Sequence, residues 1–249
     1  MTKKISEKND SALMSRNESD IIEKRKKEVS GDYSPMSYSL EKEFNRIPHK
    51  KVPLSAKKLV AICASTGGPM ALSKIIPFIS DKLNAPIVMV QHMSKGFTAS
   101  LAHRLDEKSL IKVSEATDGE ELKKGSMYIA KGGEHLTVVQ HGRQLKISLC
   151  DTPARSGLKP CADIMFESLM DLDLDEIICV VLTGMGADGT WGIGHLSEKK
   201  NVYCIAQDRE TCAASGMPDM VVKAGLADEV VPLDRIAEAI TRVTGLRLS

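Results

Sequence analysis

Residues 59–69 of this chain read Leu59-Val60-Ala61-Ile62-Cys63-Ala64-Ser65-Thr66-Gly67-Gly68-Pro69. The apolar run that opens the stretch is short and continuous, which is typical of a strand buried on both faces of a parallel sheet. The serine and glycines behind it lie where such a strand would turn into a helix. Ser65 would then lie in the positive field of a helix N-terminus, beside free backbone N–H groups. A serine at that point is either a nucleophile or a helix cap.

The alternation of strand and helix continues along the chain from residue 57. Short apolar runs predict strands over residues 59–64, 85–91, 176–182 and 202–206. Stretches of suitable length predict helices over residues 70–83, 98–107, 161–172, 191–200, 217–224 and 233–243. Alternation of this kind indicates a parallel sheet with helices on both sides. We therefore predict an α/β fold with a doubly wound, mostly parallel, Rossmann-like sheet.

The middle of the chain departs from that alternation. It contains three short strand-like runs, separated by Gly132-Gly133 and by His141-Gly142-Arg143. Runs joined by such short turns predict antiparallel pairing. We expect an antiparallel hairpin or meander at one edge of the sheet, over residues 126–130, 136–140 and 144–149.

The first 56 residues differ in composition from the rest. They are rich in Lys, Glu, Ser and Asn, and their apolar residues are sparse and not strongly periodic. A segment of this kind cannot bury enough surface to offset its ordering entropy. We predict a disordered or partly helical charged tail over residues 1–56 and a folded domain over residues 57–249.

The bulk composition argues against several classes of partner. Lys and Arg number 34 against 33 Asp and Glu, so the formal net charge is +1, and only 4% of the residues are aromatic. These values give no basis for a nucleic-acid partner or for membrane attraction. No apolar run approaches the ~20 residues that span a bilayer, so we predict no membrane insertion. The N-terminus also lacks the apolar core of a secretory signal.

The sequence contains no recognisable cofactor motif. The six cysteines form no CxxC pair, which favours buried, reduced thiols in a cytoplasmic protein. Histidines, cysteines and carboxylates do not recur at metal-ligand spacing. The glycines behind Ser65 match neither the dinucleotide fingerprint nor the P-loop. We predict no metal and no bound cofactor.

Polar side chains follow three of the predicted buried strands. Ser65 follows the first strand, His92 the second, and Asp188 the strand that ends near residue 182. In an open parallel sheet, sites lie beyond the carboxyl ends of the strands. A charge-relay hydrolase needs these three side-chain types to attack, to transfer the proton and to hold the imidazole. The order Ser…His…Asp and the absence of G-x-S-x-G separate such a triad from the α/β-hydrolases.

Each of these residues also has a plain structural interpretation. Ser65 and Asp188 both precede predicted helices and are suited to capping them. His92 alone could be an ordinary hydrogen-bonded histidine. Gly67-Gly68 could cradle a phosphate at the helix N-terminus. The joint placement of the three residues at strand ends favours the triad.

Several blocks of the sequence carry a family resemblance. The three main ones are residues 61–69, residues 91–93 with 96–98, and residues 182–189. Further blocks are Met127-Tyr128-Ile129-Ala130 with Gly132, Ala206-Gln207-Asp208 and Gly216-Met217-Pro218. In this order they resemble the blocks of the chemotaxis protein-glutamate methylesterases, the CheB catalytic domain. The resemblance runs from about Lys58 to Val243.

That resemblance implies a function. Members hydrolyse methyl-esterified glutamates on the cytoplasmic helices of methyl-accepting chemotaxis receptors, and many also deamidate receptor glutamines. By this resemblance, residues 57–249 form the methylesterase catalytic domain, and its triad is Ser65, His92 and Asp188. The receptors are the implied partners.

The resemblance also implies where negative charge on the substrate is stabilised. The family's oxyanion contribution corresponds to the backbone around Met185, and Thr66 stands where the family keeps a polar neighbour of the nucleophile. Fixed N–H donors at a glycine-rich loop can stabilise the charge that an ester carbonyl gains on attack. Gly184 and Gly186 flank Met185 and would let that backbone approach the substrate closely.

Two features depart from the family pattern. Residues 1–56 are too few for the receiver domain that members commonly carry, which needs on the order of 100 residues. We therefore expect an enzyme without a fused receiver, which is constitutive, controlled by a regulator in trans or recruited through its tail. The second departure is Leu158-Lys159-Pro160-Cys161, where the family often has an Arg-Pro-Ser type loop. Lys cannot reproduce the fork of an arginine.

These departures leave two further hypotheses beside the receptor methylesterase. One is a serine esterase of the same fold that acts on a different protein or on a small-molecule carboxyl ester. The other is a non-catalytic module that holds an anion at the loop behind Ala64.

Overall fold

The computed structural model describes residues 44–246, which form nine strands and six α-helices. The strands are β1 (Lys58–Ala64), β2 (Ile87–Gln91), β3 (Lys112–Glu115), β4 (Ser126–Ile129), β5 (His135–His141), β6 (Gln144–Cys150), β7 (Glu176–Val181), β8 (Val202–Gln207) and β9 (Glu229–Val231). The helices are α1 (Gly68–Ile75), α2 (Phe97–Asp106), α3 (Ala162–Ser168), α4 (Thr190–Ser197), α5 (Gly216–Lys223) and α6 (Ile236–Thr244).

Seven strands form one parallel sheet in the order β3-β4-β2-β1-β7-β8-β9. β1 lies between β2 and β7, with Ala64 paired to Gln91 and Cys63 paired to Val181. The chain continues from β1 to one side of the sheet and later returns to its other side with β7. The strand order therefore switches at β1, and the carboxyl ends of β2, β1 and β7 lie next to one another.

Helices cover both faces of the sheet, so β1 is buried along its whole length. Val60 and Ile62 belong to one apolar core together with residues of α1, α2 and α6. Ala61 and Cys63 belong to a second core together with residues of α3, α4, α5 and the β5–β6 hairpin. Two cores around one parallel sheet confirm the predicted doubly wound fold.

The assignment of residues 126–130 to an antiparallel meander is wrong. β4 is a parallel strand between β2 and β3, and Met127 pairs with both Ile87 and Val113. Most of β4 is buried, because it lies inside the sheet and not at its edge. Among the nine strands of residues 44–246, β5 and β6 alone pair antiparallel with each other, as a separate two-stranded sheet, so the hairpin part of the prediction is confirmed.

Several helix ends differ from the prediction. α1 ends at Ile75 and continues as a 3₁₀ turn over Ile76–Phe78, since Pro77 has no N–H to donate. α6 begins only at Ile236, after a 3₁₀ turn over Leu233–Arg235. The short strands β3 and β9, at the two sheet edges, were not predicted. No helix within residues 44–246 combines the length and apolarity needed to cross a bilayer.

Residues 44–56 contain no helix or strand, yet they contact the folded domain. The Arg46 guanidinium donates a hydrogen bond to the backbone oxygen of Val202 at 3.0 Å. His49 Nε2 lies 2.7 Å from Glu176 Oε1. The predicted boundary at residue 57 stays a prediction, and the tail predicted before residue 44 lies outside the described residues.

Candidate active site

The loops that follow β1, β2 and β7 meet at the carboxyl edge of the sheet. Ser65 and His92 directly follow two neighbouring strands, and the His92 N–H donates to the Ala64 oxygen at 3.0 Å. Asp188 lies in the loop between β7 and α4. The structure therefore gathers the three residues that the sequence places at strand ends.

His92 and Asp188 form a direct hydrogen bond. The imidazole Nε2 lies 2.7 Å from Asp188 Oδ2. The His92 side chain is 10% exposed and the Asp188 side chain is 2% exposed. The other ring nitrogen, Nδ1, has no hydrogen-bond partner among residues 44–246. The carboxylate thus fixes the ring on one side and leaves Nδ1 available on the other.

The N-terminus of α3 holds Asp188. The N–H groups of Ala162 and Asp163 donate to its two oxygens at 2.6 and 2.9 Å, and the thiol of Cys161 donates at 3.1 Å. Burial alone would raise the pKa of Asp188. Hydrogen bonds from His92 and from these backbone groups outweigh burial and hold the pKa below its ordinary value. Asp188 therefore caps a helix, as one interpretation proposed, but the helix is α3 and not the following α4.

Asp163, in the first turn of α3, makes the reciprocal contact. Its Oδ1 accepts the N–H of Gly189 at 2.9 Å and that of Gly192 at 2.7 Å, both at the start of α4. The start of α4 thus binds Asp163 of α3, and the start of α3 binds Asp188, which precedes α4. Burial, and then the negative charge of Asp188, raise the pKa of Asp163 well above its ordinary value. The two pKa shifts have opposite directions, so Asp163 holds a proton more tightly than Asp188 does.

Cys161, Asp163 and Asp188 lie close enough to be considered as metal ligands, with one ligand atom from each within 4.8 Å of the others. Both carboxyl groups already accept N–H groups from helix N-termini, and the positive ends of those helices disfavour a cation. Burial, and then the charge of Asp188, raise the pKa of the Cys161 thiol, so the thiol keeps its proton and donates it. The cluster fits a hydrogen-bonded support better than a metal site.

Ser65 is not the cap of α1, because the N-cap residue is Gly67. The Ser65 N–H donates to the Thr183 oxygen at 3.0 Å. The backbone oxygen of Ser65 accepts the Gly68 N–H and the Gln91 side-chain N–H, each at 2.9 Å. The Gly68 N–H is therefore not available to a phosphate. The Ser65 hydroxyl makes no hydrogen bond to any residue that the structure describes, so a fixed backbone carries an unengaged hydroxyl at the end of the strand next to the one that His92 follows.

The loop between β7 and α4 lies against Ser65. A Cβ on Gly184 would lie 2.8 Å from the Ser65 Cβ and would overlap the Met217 sulfur, so only glycine allows this approach. The Met217 N–H donates to the Gly184 oxygen at 2.9 Å, which holds the loop in place. Within residues 44–246, six N–H groups of the two loops donate no hydrogen bond: those of Thr66, Gly67, Met185, Gly186, Ala187 and Asp188.

Thr183 ties the two loops together. Its hydroxyl donates to the Thr66 oxygen at 2.9 Å and accepts the Ala214 N–H at 3.0 Å. The Thr183 N–H in turn donates to the Gln207 side chain at 2.9 Å. The unengaged N–H groups therefore belong to a cross-linked and well-defined backbone.

The sequence reasoning missed most of these supporting roles. Gln91 and Gln207 are the last residues of β2 and β8 and are almost fully buried. A buried amide at the end of an apolar strand is a signal that could have been used, because such a group must find partners. The contacts of Cys161 and Asp163 with Asp188 join distant parts of the chain and leave no comparable signal.

A serine, a histidine and a buried aspartate gathered at the switch point of a parallel sheet are typical of serine hydrolases. Their order along this chain, Ser65, His92 and Asp188, differs from that of the α/β-hydrolases. Comparison with known families is more specific. The chain belongs to the CheB methylesterase family, whose family model matches residues 60–240.

Individual relatives agree with this assignment. A protein-glutamate methylesterase/protein-glutamine glutaminase of Geobacillus kaustophilus is 49% identical over 187 residues, which are 75% of this chain and 54% of the relative. The protein of the same description from Bacillus subtilis is 46% identical over 194 residues, with 77% and 54% covered. The chain thus spans about half the length of the curated relatives it matches.

A solved structure supports the fold. The crystal structure of the Thermotoga maritima CheB methylesterase catalytic domain is 41% identical and superposes with a TM-score of 0.72. The match covers 75% of this chain and 98% of the Thermotoga chain. The doubly wound domain described above is therefore that of a CheB catalytic domain.

Proposed function

We propose that this chain hydrolyses glutamate methyl esters on methyl-accepting chemotaxis receptors, and also deamidates receptor glutamines, during chemotactic adaptation in the cytoplasm. The 2.7 Å contact between His92 and Asp188, at the sheet edge where Ser65 follows the neighbouring strand, is the observation that carries the proposal. The names of the relatives, which pair methylesterase with glutaminase, support the same two reactions here.

In the first half of the proposed reaction, Ser65 Oγ attacks the ester carbonyl carbon while His92 Nδ1 takes the hydroxyl proton. Asp188 stabilises the imidazolium that forms. The carbonyl oxygen becomes an oxyanion, and the N–H groups of Met185 and Thr66 are the donors proposed to stabilise it. Gly184 and Gly186 allow the Met185 backbone to come close enough to do so.

In the second half, the bond between the carbonyl carbon and the methoxy oxygen breaks. His92 gives its proton to this oxygen, so methanol leaves and Ser65 is acylated. A water molecule then loses a proton to His92 and attacks the acyl carbon. The bond between Ser65 Oγ and the acyl carbon then breaks, and Ser65 Oγ takes the proton back from His92. The glutamate leaves as a carboxylate and its remaining proton is released to solvent. With a glutamine substrate, ammonia takes the place of methanol.

The test is methanol release from a methylated receptor, measured with the unmodified chain and with Ser65→Ala. We expect Ser65→Ala to lower the rate by at least about 10³-fold with an unchanged melting temperature, because the nucleophile is lost but no hydrogen bond is. Ser73→Ala, an exposed serine on α1, is the matched control and should keep full activity. Methanol release by Ser65→Ala at the unmodified rate would contradict the proposed mechanism.

The same assay with small carboxyl esters tests the substrate class. Lys159 forms an ion pair with Asp151, so the loop that differs from the family pattern is already engaged within the chain. If the chain cleaves small esters but no receptor ester, the alternative hypothesis holds, namely a serine esterase of the same fold with a different substrate. Control by a regulator in trans stays a prediction.

A further inference from the structure

Gln91 links the two residues that must meet for the proposed reaction. It is the last residue of β2 and is 1% exposed. Its side-chain Nε2 donates to the backbone oxygen of Ser65 at 2.9 Å and to that of His92 at 3.3 Å. One amide group therefore holds the backbone of the proposed nucleophile and that of the proposed base.

The orientation of this amide leaves its oxygen unsatisfied. Gln91 Oε1 is buried and has no hydrogen-bond partner among residues 44–246. Exchanging the oxygen and the nitrogen would place an acceptor against two carbonyl oxygens, so the orientation follows from the two contacts. A buried acceptor without a partner destabilises the folded chain, because its hydrogen bond to water is lost and not replaced. Such a group calls for a specific reason.

Gly68, at the start of α1, leaves the space that the Gln91 side-chain amide occupies. A Cβ on Gly68 would overlap Gln91 Oε1, so a glycine at the start of α1 is needed for Gln91 to reach Ser65. Gln207, the corresponding buried amide at the end of β8, differs in this respect. Its oxygen accepts the Thr183 N–H and its nitrogen donates to the Thr211 oxygen, each at 2.9 Å. Both the oxygen and the nitrogen of the Gln207 side chain therefore have partners, whereas the Gln91 side-chain oxygen has none among residues 44–246.

We propose that Gln91 is a positioning residue that sets the separation between Ser65 and His92. The inference rests on the proposed function of these two residues. No hydrogen bond joins the Ser65 hydroxyl to His92 in the described part of the chain, so their approach is fixed through the backbone. A displacement of about 1 Å between reacting groups can lower a rate by about 10²-fold.

The first test is Gln91→Met, which keeps the shape of the side chain and removes both donors and the unsatisfied oxygen. We expect kcat to fall by about 10- to 100-fold with KM unchanged within about twofold, because Gln91 lies below the site and does not contact substrate. The melting temperature should equal or exceed that of the unmodified chain, because the backbone oxygen of Ser65 keeps its hydrogen bond from the Gly68 N–H and the unsatisfied oxygen of Gln91 is removed. Loss of activity without loss of stability is the result that a merely structural role would not give.

A second variant keeps the inference testable if Gln91→Met folds poorly. Gln91→Glu has the same shape, and its carboxyl group can donate one hydrogen bond only when protonated. We therefore expect the ratio of its kcat to that of the unmodified chain to rise as the pH falls. A ratio independent of pH, or kcat of Gln91→Met within twofold of the unmodified chain, would overturn the inference.

Two reference variants separate this inference from the proposed function. Ser65→Ala, measured beside the Gln91 variants, must be inactive for the proposed function to hold. Full activity of Gln91→Met beside an inactive Ser65→Ala would overturn the inference alone. Gln140→Met removes a half-buried glutamine on the hairpin, whose side chain donates to the Gly142 oxygen at 2.9 Å and accepts the Asp173 N–H at 2.7 Å, and it should leave kcat unchanged.

Discussion

Two histidine–carboxylate pairs lie at opposite ends of strand β7. At the carboxyl end, His92 Nε2 is 2.7 Å from Asp188 Oδ2, and at the amino end His49 Nε2 is 2.7 Å from Glu176 Oε1. Both carboxylate side chains are 2% exposed. By separation and burial alone the two pairs are alike, so neither property makes a catalytic site.

The two ends differ in what compensates the buried negative charge. At the amino end, Lys58 Nζ lies 3.0 Å from Glu176 Oε2, although the contact is not aligned as a hydrogen bond. Lys58 also donates to the Val243 oxygen at 2.8 Å, and the His49 ring packs edge-on against Tyr203 with ring centroids 4.9 Å apart. Because Lys58 lies against the carboxylate and Tyr203 packs against the imidazole, this pair has no group left to act on a substrate.

At the carboxyl end, neutral groups compensate the charge. Backbone N–H groups at the start of α3 and the Cys161 thiol bind Asp188, and no lysine or arginine among residues 44–246 forms an ion pair with it. The negative charge remains available to stabilise an imidazolium at His92. The ring nitrogen Nδ1 and the Ser65 hydroxyl are unengaged there. The comparison teaches that the surroundings of the pair, and not the pair itself, distinguish a structural anchor from the proposed catalytic site.

The largest expected effect comes from changing the two carboxylates in parallel. Asp188→Asn should lower methanol release by about 10⁴-fold, because an amide cannot stabilise the imidazolium. Glu176→Gln should leave methanol release unchanged and lower the free energy of unfolding by about 3 kcal/mol, since Lys58 loses its buried partner. Both variants are measured by methanol release and by urea unfolding. Equal losses of activity in the two variants would break the comparison.

A smaller effect is expected at Asp163, which holds the helix that follows Asp188. Asp163→Ala removes the acceptor of the Gly189 and Gly192 N–H groups, so Asp188 should shift and kcat should fall by about 10- to 100-fold. Asp163→Asn keeps a neutral oxygen acceptor and should retain most of kcat. If Asp163→Asn were as inactive as Asp163→Ala, the charge of Asp163 and not its acceptor would matter.

The smallest expected effect concerns a third histidine, His135, which supports the start of α3. Its Nδ1 accepts the Cys161 N–H at 3.2 Å and its Nε2 donates to the Pro153 oxygen at 3.1 Å, so the ring must be neutral. Burial lowers the pKa of His135 below its ordinary value. The unfolded chain therefore binds a proton below about pH 6.5 that the folded chain resists, and stability present above that pH is lost on acidification.

His135→Gln tests this pH dependence, because a glutamine can accept and donate at the same two places without titrating. We expect the free energy of urea unfolding to fall less between about pH 7.5 and pH 5 in His135→Gln than in the unmodified chain. Identical pH dependence in the two proteins would show that His135 does not contribute to it.

The sequence predicts the fold and the place of the site because both depend on local patterns. Continuous apolar runs identify β1, β2, β7 and β8, and strand ends place Ser65, His92 and Asp188 at one edge. The error at β4 has the opposite cause: its run is followed by two glycines, which locally resemble a hairpin turn. Whether a short strand lies inside a sheet depends on partners elsewhere in the chain.

The supports of the site could not be predicted for the same reason. The bond from Gln91 to Ser65 and the exchange between Asp163 and Asp188 each join distant residues and follow only from the folded geometry. Composition likewise assigns His49 to a charged tail, although it binds a buried carboxylate of the domain.

The most direct test of the central claim is the rate of methanol release from a methylated receptor by Ser65→Ala, relative to the unmodified chain at equal concentration of folded protein. We expect a rate lower by at least about 10³-fold, because Ser65 supplies the nucleophile that forms the acyl intermediate in the proposed reaction. A rate within tenfold of the unmodified chain would contradict the assignment of Ser65, His92 and Asp188 as one catalytic unit.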